Sequence, residues 1–174
     1  MGTSGQLQSD WWSIAPHGNF IATNDDGCDC DKSADYLILP ILDFSESEVA
    51  MLTFDAFYDG GTFEGDTEVA TIEYSLDGGS TWQVLETIEG TEDGVWNGHT
   101  VSLTPLIGIS EVLVAFRYND AGGWVFGCAI DDVVVFEPSG LDAALNSIDV
   151  SSNLELGDVI AIEGTIANTG LDNI

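Results

Sequence analysis

Basic residues are almost missing from this chain. Lys32 and Arg117 stand against 31 aspartates and glutamates, giving a formal net charge of −29 over 174 residues. Such a surface repels phosphate backbones and anionic lipid headgroups, which excludes nucleic acid as a partner and insertion into membranes. No apolar run approaches the roughly 20 residues that a membrane-spanning helix needs. An export signal is also missing: Met1-Gly-Thr-Ser-Gly5 leads straight on towards Trp11-Trp12, and the expectation is that any such signal has been removed. The histidines, His17 and His99, are isolated, and Cys28, Cys30 and Cys128 lack the spacing of a zinc site. One disulfide between the loop bearing Cys28 and Cys30 and the distant Cys128, or three reduced thiols, remain alternative readings. No Ser/His/Asp arrangement, zinc motif or nucleotide loop stands out, so catalysis by this chain is not expected.

What the chain has is apolar content and acid. Hydrophobic residues make up 44% and aromatics 10%, which an acidic disordered chain does not have. Clustered carboxylates, carbonyls and Asn side chains are hard oxygen donors, suited to calcium rather than zinc. The plainer reading, a solvated acidic coat, applies to most of these acids.

One stretch organises the rest. Residues 124–136, between Ala121-Gly-Gly123 and Pro138-Ser-Gly140, read as one strand. Side-chain alternation puts Ile130, Asp132, Val134 and Phe136 on one face and Ala129, Asp131, Val133 and Val135 on the other. Both faces are apolar enough to be covered, so Asp131 or Asp132 is expected to hold a cation, because a buried carboxylate without a partner is costly. A bulge or early strand end would instead let one of them escape.

Elsewhere, short strands alternate with Gly/Asp turns. One or two are read at 10–15 and 19–23, turned by Pro16-His-Gly18. The segment 24–35 then carries five Asp and one Asn in twelve residues, like a cation-binding loop but without the EF-hand spacing. Tyr36–Leu42, with Pro40 inside, reads as an edge strand or a broken one. Residues 49–58 place Leu52, Phe54, Ala56 and Tyr58 on one face and leave Asp55 among apolar neighbours on the other. The loop 59–66 is rich in Gly and acid.

Ser75-Leu-Asp-Gly-Gly-Ser-Thr-Trp82 reads as a hairpin turn of the Asp-box pattern, a folding element rather than a site. Further strands are read at 68–75, 82–88, 95–103 and 111–118, with 89–94 an acidic loop. Arg117 is expected to pair with a carboxylate on a neighbouring strand. Eight or nine strands without a convincing helix predict an antiparallel all-β sandwich. After Gly140 two or three more strands begin, too few residues to close an immunoglobulin-like sandwich.

Tyr36-Leu-Ile-Leu-Pro40, Leu52-Thr-Phe-Asp-Ala56, Glu73 to Trp82, Val114-Ala-Phe-Arg-Tyr118 and Ile130-Asp-Asp-Val133 occur in this order. Together they resemble the choice-of-anchor J, or cleaved-adhesin, family: MAM-like jelly-roll domains of secreted multidomain proteins from gliding and periodontal bacteria. The resemblance covers about residues 10 to 138. Leu156-Gly-Asp-Val159 and Gly164 to Gly170 resemble the start of the immunoglobulin-like domains that often follow. It implies a jelly-roll domain at 1–138 and, at 139–174, a linker and the front of an immunoglobulin-like domain.

The resemblance also implies calcium, type IX secretion, a cell-surface location and a role in adhesion or substrate targeting. The partner would be a host or neighbouring-cell surface protein or glycan. By position it implies metal ligation by Asn24, Asp25 and Asp26 in the first acidic loop, by Asp59 and Asp66 in the second, close in sequence to Asp55, and by Asp131 and Asp132. The C-x-C of the first loop has no counterpart in that pattern. Two other functions remain. A carbohydrate-binding module would use Trp11, Trp12, Trp96 and Trp124 as a stacking platform, unless these are core aromatics. An accessory domain of a secreted protease or other hydrolase is the third reading.

Overall fold

Alternation is cleanest where residues 51–58 and 112–118 run through the molecule. Leu52, Phe54, Ala56 and Tyr58 are buried on one side of the first, and Val112, Val114, Phe116 and Tyr118 on one side of the second. A strand presents successive side chains to opposite faces, so each segment offers one apolar row, and the two rows meet in a single core that also takes in Ile72, Val101, Leu103 and Ile130.

The structure is a computed structural model that describes residues 1–91, 94–138, 143–149 and 163–168. Its strands are β1 (Ile21–Thr23), β2 (Asp35–Ile38), β3 (Met51–Tyr58), β4 (Thr62–Phe63), β5 (Asp66–Thr67), β6 (Val69–Ser75), β7 (Gln83–Thr87), β8 (Asn97–Ser102), β9 (Leu113–Asn119), β10 (Cys128–Phe136), β11 (Ala143–Asp149) and β12 (Glu163–Asn168). Two four-stranded antiparallel sheets, ordered β1-β10-β3-β8 and β2-β9-β6-β7, make an all-β sandwich. The chain divides into two units, Met1–Phe136 and Glu137–Ile174. In the second, β11 and β12 form an antiparallel pair with a shift of register between Leu145 and Ser147. The rest of the strands expected after Gly140, the turn at 139–140 and part of the acidic loop 89–94 lie outside the described residues.

Several expectations change. Residues 10–15 form no strand; instead Trp12 and Ile14 pack with Phe20, Phe57 and Ala129 in a second, smaller cluster against the outer face of β3 and β10. A one-turn helix, Ser4–Leu7, precedes them, held by a Thr3–Gln6 capping box. The organising strand starts at Cys128 rather than Trp124. It lies inside its sheet, and its first residues are covered on both faces: Cys128 and Ile130 by the main core, Ala129 by the smaller cluster. Beyond that its alternation breaks. The register with β3 shifts between Asp131 and Val134, and Asp132 adopts the left-handed region at φ 50°. This bulge inserts one residue, so Val133 and Val135, not Val134 and Phe136, continue the core row of Ile130. The face assignment read from strict alternation is therefore reversed after Asp131, and Asp132 reaches solvent.

Pro40 does break its strand: β2 ends at Ile38 on the edge of its sheet, and pairing resumes as a single bridge between Leu42 and Val112. Arg117 pairs across β9 and β6 with Glu73 at 3.9 Å, and also donates to the Ser33 carbonyl at 2.9 Å. The cysteines pair as Cys28–Cys30, while Cys128 is a free thiol buried in the core, where burial pushes its pKa up. A bridge to Cys128 is excluded because Cys30 has already taken the loop's other sulfur.

Candidate metal centres

The acidic loop after β1 folds as a set of tight turns. Asn24 accepts the Gly27 amide on Oδ1 at 2.6 Å and donates from Nδ2 to the Leu7 carbonyl. It is a turn cap, and its side-chain oxygen is already occupied. Asp26 accepts the Ser9 hydroxyl at 3.1 Å, which ties the loop to the N-terminal segment. Asp25 differs. It is 4% exposed; Oδ1 accepts the Asp26 amide at 2.8 Å, and Oδ2 is buried without a hydrogen-bond partner. Burial, reinforced by the charges of Asp26 and Asp120, raises its pKa even though backbone donors oppose the shift. A carboxylate in this state gains most from a proton or a cation.

Facing it is Asp120, in the turn between β9 and β10, 1% exposed. Its Oδ2 accepts the Lys32 amide at 2.7 Å and its Oδ1 accepts the Ser33 hydroxyl at 3.1 Å and the Gly122 amide at 2.8 Å. These bonds clamp the end of the acidic loop to a turn some 88 residues further along the chain. Asp25 and Asp120, with Asp29, Asp31 and Trp124, line a cavity of about 160 Å³. Asp31 is held below the usual carboxylate range by the hydroxyl and amide of Ser33. Asp66, on β5, lies against Gly123 of the cavity wall so closely that any side chain at 123 would collide with its carboxylate. Among the described residues, this is where buried carboxylates converge on one cavity.

A second cluster sits on the outer face of the other sheet. Asp55 and Asp131 are direct cross-strand partners on β3 and β10, and the bulge turns Asp132 towards the same side. His17 Nε2 lies 3.2 Å from Asp55, 3.4 Å from Asp132 and 4.0 Å from Asp131. The imidazole stacks on Trp96 with ring centroids 4.4 Å apart. Trp96 in turn donates its indole N–H to the Ala15 carbonyl at 2.8 Å.

The eight sequence-predicted ligands thus fall apart by position. Asp25 faces the loop cavity with Asp66 beside its wall; Asp55, Asp131 and Asp132 share the histidine cluster; Asn24 and Asp26 are engaged in turn and loop contacts. Asp59 belongs to neither group: it precedes Gly60, whose backbone packs against Gly90, and its charge acts on buried Glu68. Two residues were missed. Asp120 stood in a stretch read only as a turn, and its Asn-Asp-Ala-Gly-Gly setting was its one signal. His17 stood in a Pro-His-Gly turn and carried none.

Glu68, 2% exposed, ties the start of β6 to the segments around it. It accepts the Gly61 amide, the Tyr118 hydroxyl and the Gly127 amide at 2.7–3.0 Å. Burial raises its pKa despite these donors. All its oxygens are used, so it is a structural clamp. Of the four tryptophans weighed for stacking, Trp12 is buried and Trp96 packs against the smaller cluster, whereas Trp11 and Trp124 are exposed. Comparison with known protein families and with curated proteins finds no match for this chain. Among the described residues, no helix is long and apolar enough to cross a membrane.

Proposed function

We propose that this chain is a calcium-stabilised, non-enzymatic binding domain of a larger secreted bacterial surface protein, with jelly-roll connectivity in its first unit. The observation that carries the calcium reading is Asp25: a nearly fully buried carboxylate with an unpartnered oxygen, in a cavity shared with Asp120. Four aspartates line that cavity beside Cys30 and Trp124, and calcium takes six to eight oxygen donors, carbonyls and waters included. Asp25, Asp120, Asp29 and Asp31 are the residues that would hold it. The ion would relieve the mutual repulsion of these acids in a chain of net charge −29 and lock the loop onto the β9–β10 turn.

The extracellular setting rests on the sequence resemblance and on the Cys28–Cys30 disulfide, a bond favoured in oxidising compartments. Adhesion to a host or neighbouring-cell protein or glycan rests on the resemblance alone. The carbohydrate-module reading is weaker, since two of its four stacking candidates are packed inside.

The test is calorimetric titration of calcium into metal-stripped protein, with thermal unfolding in calcium and in chelator at fixed ionic strength. At 100 times the dissociation constant, binding to the folded state alone contributes about 2.7 kcal/mol, worth about 5–10 °C in a domain this size. Absence of both heat and calcium-specific stabilisation would remove the calcium reading.

A further inference from the structure

We propose that His17, Asp55, Asp131 and Asp132 form a second metal site, for a divalent transition cation of the zinc class rather than calcium. The proposal is independent of the calcium reading, because it uses none of the same residues and a different donor chemistry.

Three observations carry it. The first is the number of carboxylates around one nitrogen. Asp55 and Asp131 are paired directly across adjacent strands, where like charges oppose each other, and the bulge adds Asp132 from the same strand. A regular strand would send Asp131 and Asp132 to opposite faces; the left-handed turn at Asp132 is what makes them neighbours of one imidazole. The second is that, among the described residues, only His17 stands against these three carboxylates. The only two strong cations are engaged elsewhere, Lys32 with Asp35 at 3.0 Å and Arg117 with Glu73. His17 Nε2 is itself buried, close to three carboxylates, yet makes no hydrogen bond. One N–H cannot serve three acceptors, whereas one cation binds lone pairs from all of them.

The third is spacing. Zinc bonds of about 2.0–2.2 Å in tetrahedral geometry put donor atoms about 3.4 Å apart. The nitrogen-to-oxygen distances here are 3.2, 3.4 and 4.0 Å, and the donor atoms of His17, Asp131 and Asp132 all lie within 4.8 Å of one another. Imidazole nitrogen with carboxylate oxygen is a donor set for zinc, and for copper, nickel or manganese, while calcium selects oxygen alone. The ring is already oriented: Trp96 stacks on one face, and Gly18 at φ 71° turns the chain away behind it. Binding would pin the 10–20 segment to β3 and β10.

The experiment titrates Zn(II) into metal-stripped protein held in saturating calcium, read by calorimetry and by melting temperature, with Co(II) absorption reporting coordination geometry. Cu(II) quenching of Trp96 fluorescence, with Trp96→Phe as control, locates the ion. The expected result is one zinc per chain, a higher melting temperature, and at least tenfold weaker binding in both His17→Gln and Asp132→Asn. Asp132→Asn keeps the fold in play, since the residue is largely exposed and Asn tolerates the left-handed region. Asp25→Asn should leave zinc affinity unchanged. Equal zinc affinity in parent and both variants, zinc binding lost in Asp25→Asn alone, or no zinc binding at millimolar metal would each overturn the proposal.

Discussion

Two aspartates, each in a turn next to a strand, behave in opposite ways. Asp77 lies in the turn joining β6 and β7. Its Oδ1 accepts the Ser75 hydroxyl and the Thr81 amide, and its Oδ2 accepts the Thr81 hydroxyl, all at 2.7–2.9 Å. These donors push its pKa down to about 2. Asp25 has one amide on one oxygen and nothing on the other, and burial raises its pKa. The Ser75–Trp82 turn satisfies its carboxylate from within eight residues of sequence. The 24–35 loop brings its carboxylate inside without supplying a donor for Oδ2, and adds Asp29 and Asp31 to the same cavity wall. A turn of the first kind satisfies its own carboxylate; one of the second kind leaves an oxygen without a donor.

The harshest way to break this contrast is Asp120→Ala. It removes the acceptor of the part-buried Lys32 and Gly122 amides, while the Ser33 hydroxyl keeps Asp31 as its acceptor. Unfolding should show a loss of about 1–3 kcal/mol, and the calcium-dependent rise in melting temperature should vanish. Asp25→Asn is milder and changes sign with conditions. In chelator it should melt higher than the parent, because a buried charge is gone; in calcium it should melt lower, because a ligand is gone. Asp77→Asn should lower the melting temperature by the same amount in calcium and in chelator, since that turn has no use for an ion.

A pH series sharpens the same comparison. Asp25 has a folded pKa above its unfolded value near 3.8, so the folded state favours its protonated form. Its contribution is greatest below that pH and is lost as pH rises towards the folded pKa. The advantage of Asp25→Asn over the parent in chelator should therefore be absent below about pH 3.8 and grow above it. Asp77, depressed to about 2, works the other way: its contribution is present above its unfolded pKa and fades between there and about pH 2. Melting temperatures of the two variants against the parent from pH 2 to 7 should slope in opposite directions. The smallest effect is expected from Cys28→Ser with Cys30→Ser. The bridge spans only two positions in sequence, so global stability should barely move, while calorimetry should show calcium affinity falling a few-fold as the loop loses pre-organisation.

Much of the fold was legible. The rows Leu52–Tyr58 and Val112–Tyr118 are period-two patterns that need no tertiary information, and the pairing of Arg117 with a carboxylate on a neighbouring strand follows from the scarcity of cations, though only the structure identifies it as Glu73. The Asp-box turn carries its own donors, so its geometry could be read from Ser75, Asp77 and Thr81 alone. The candidate sites were legible only in part. That an acid of the 24–35 loop and Asp131 or Asp132 would call for a partner was an expectation from charge and apolar context, and the bulge instead lets Asp132 reach solvent. Which acids share a cavity did not follow from these, because Asp120 meets the first loop through bonds spanning 88 positions.

Composition and local pattern by themselves determined an all-β chain, antiparallel sheets, an acidic surface and the self-contained turns, because those depend on side-chain alternation and on donors close in sequence. The tertiary structure alone decided the bulge at Asp132, the reversal of faces after it, the Cys28–Cys30 pairing, the orphan oxygen of Asp25 and the meeting of His17 with three carboxylates. Apart from the local Cys28–Cys30 bridge, those depend on strand register and on contacts between segments far apart in sequence, and a one-residue shift in register sends a side chain from core to solvent.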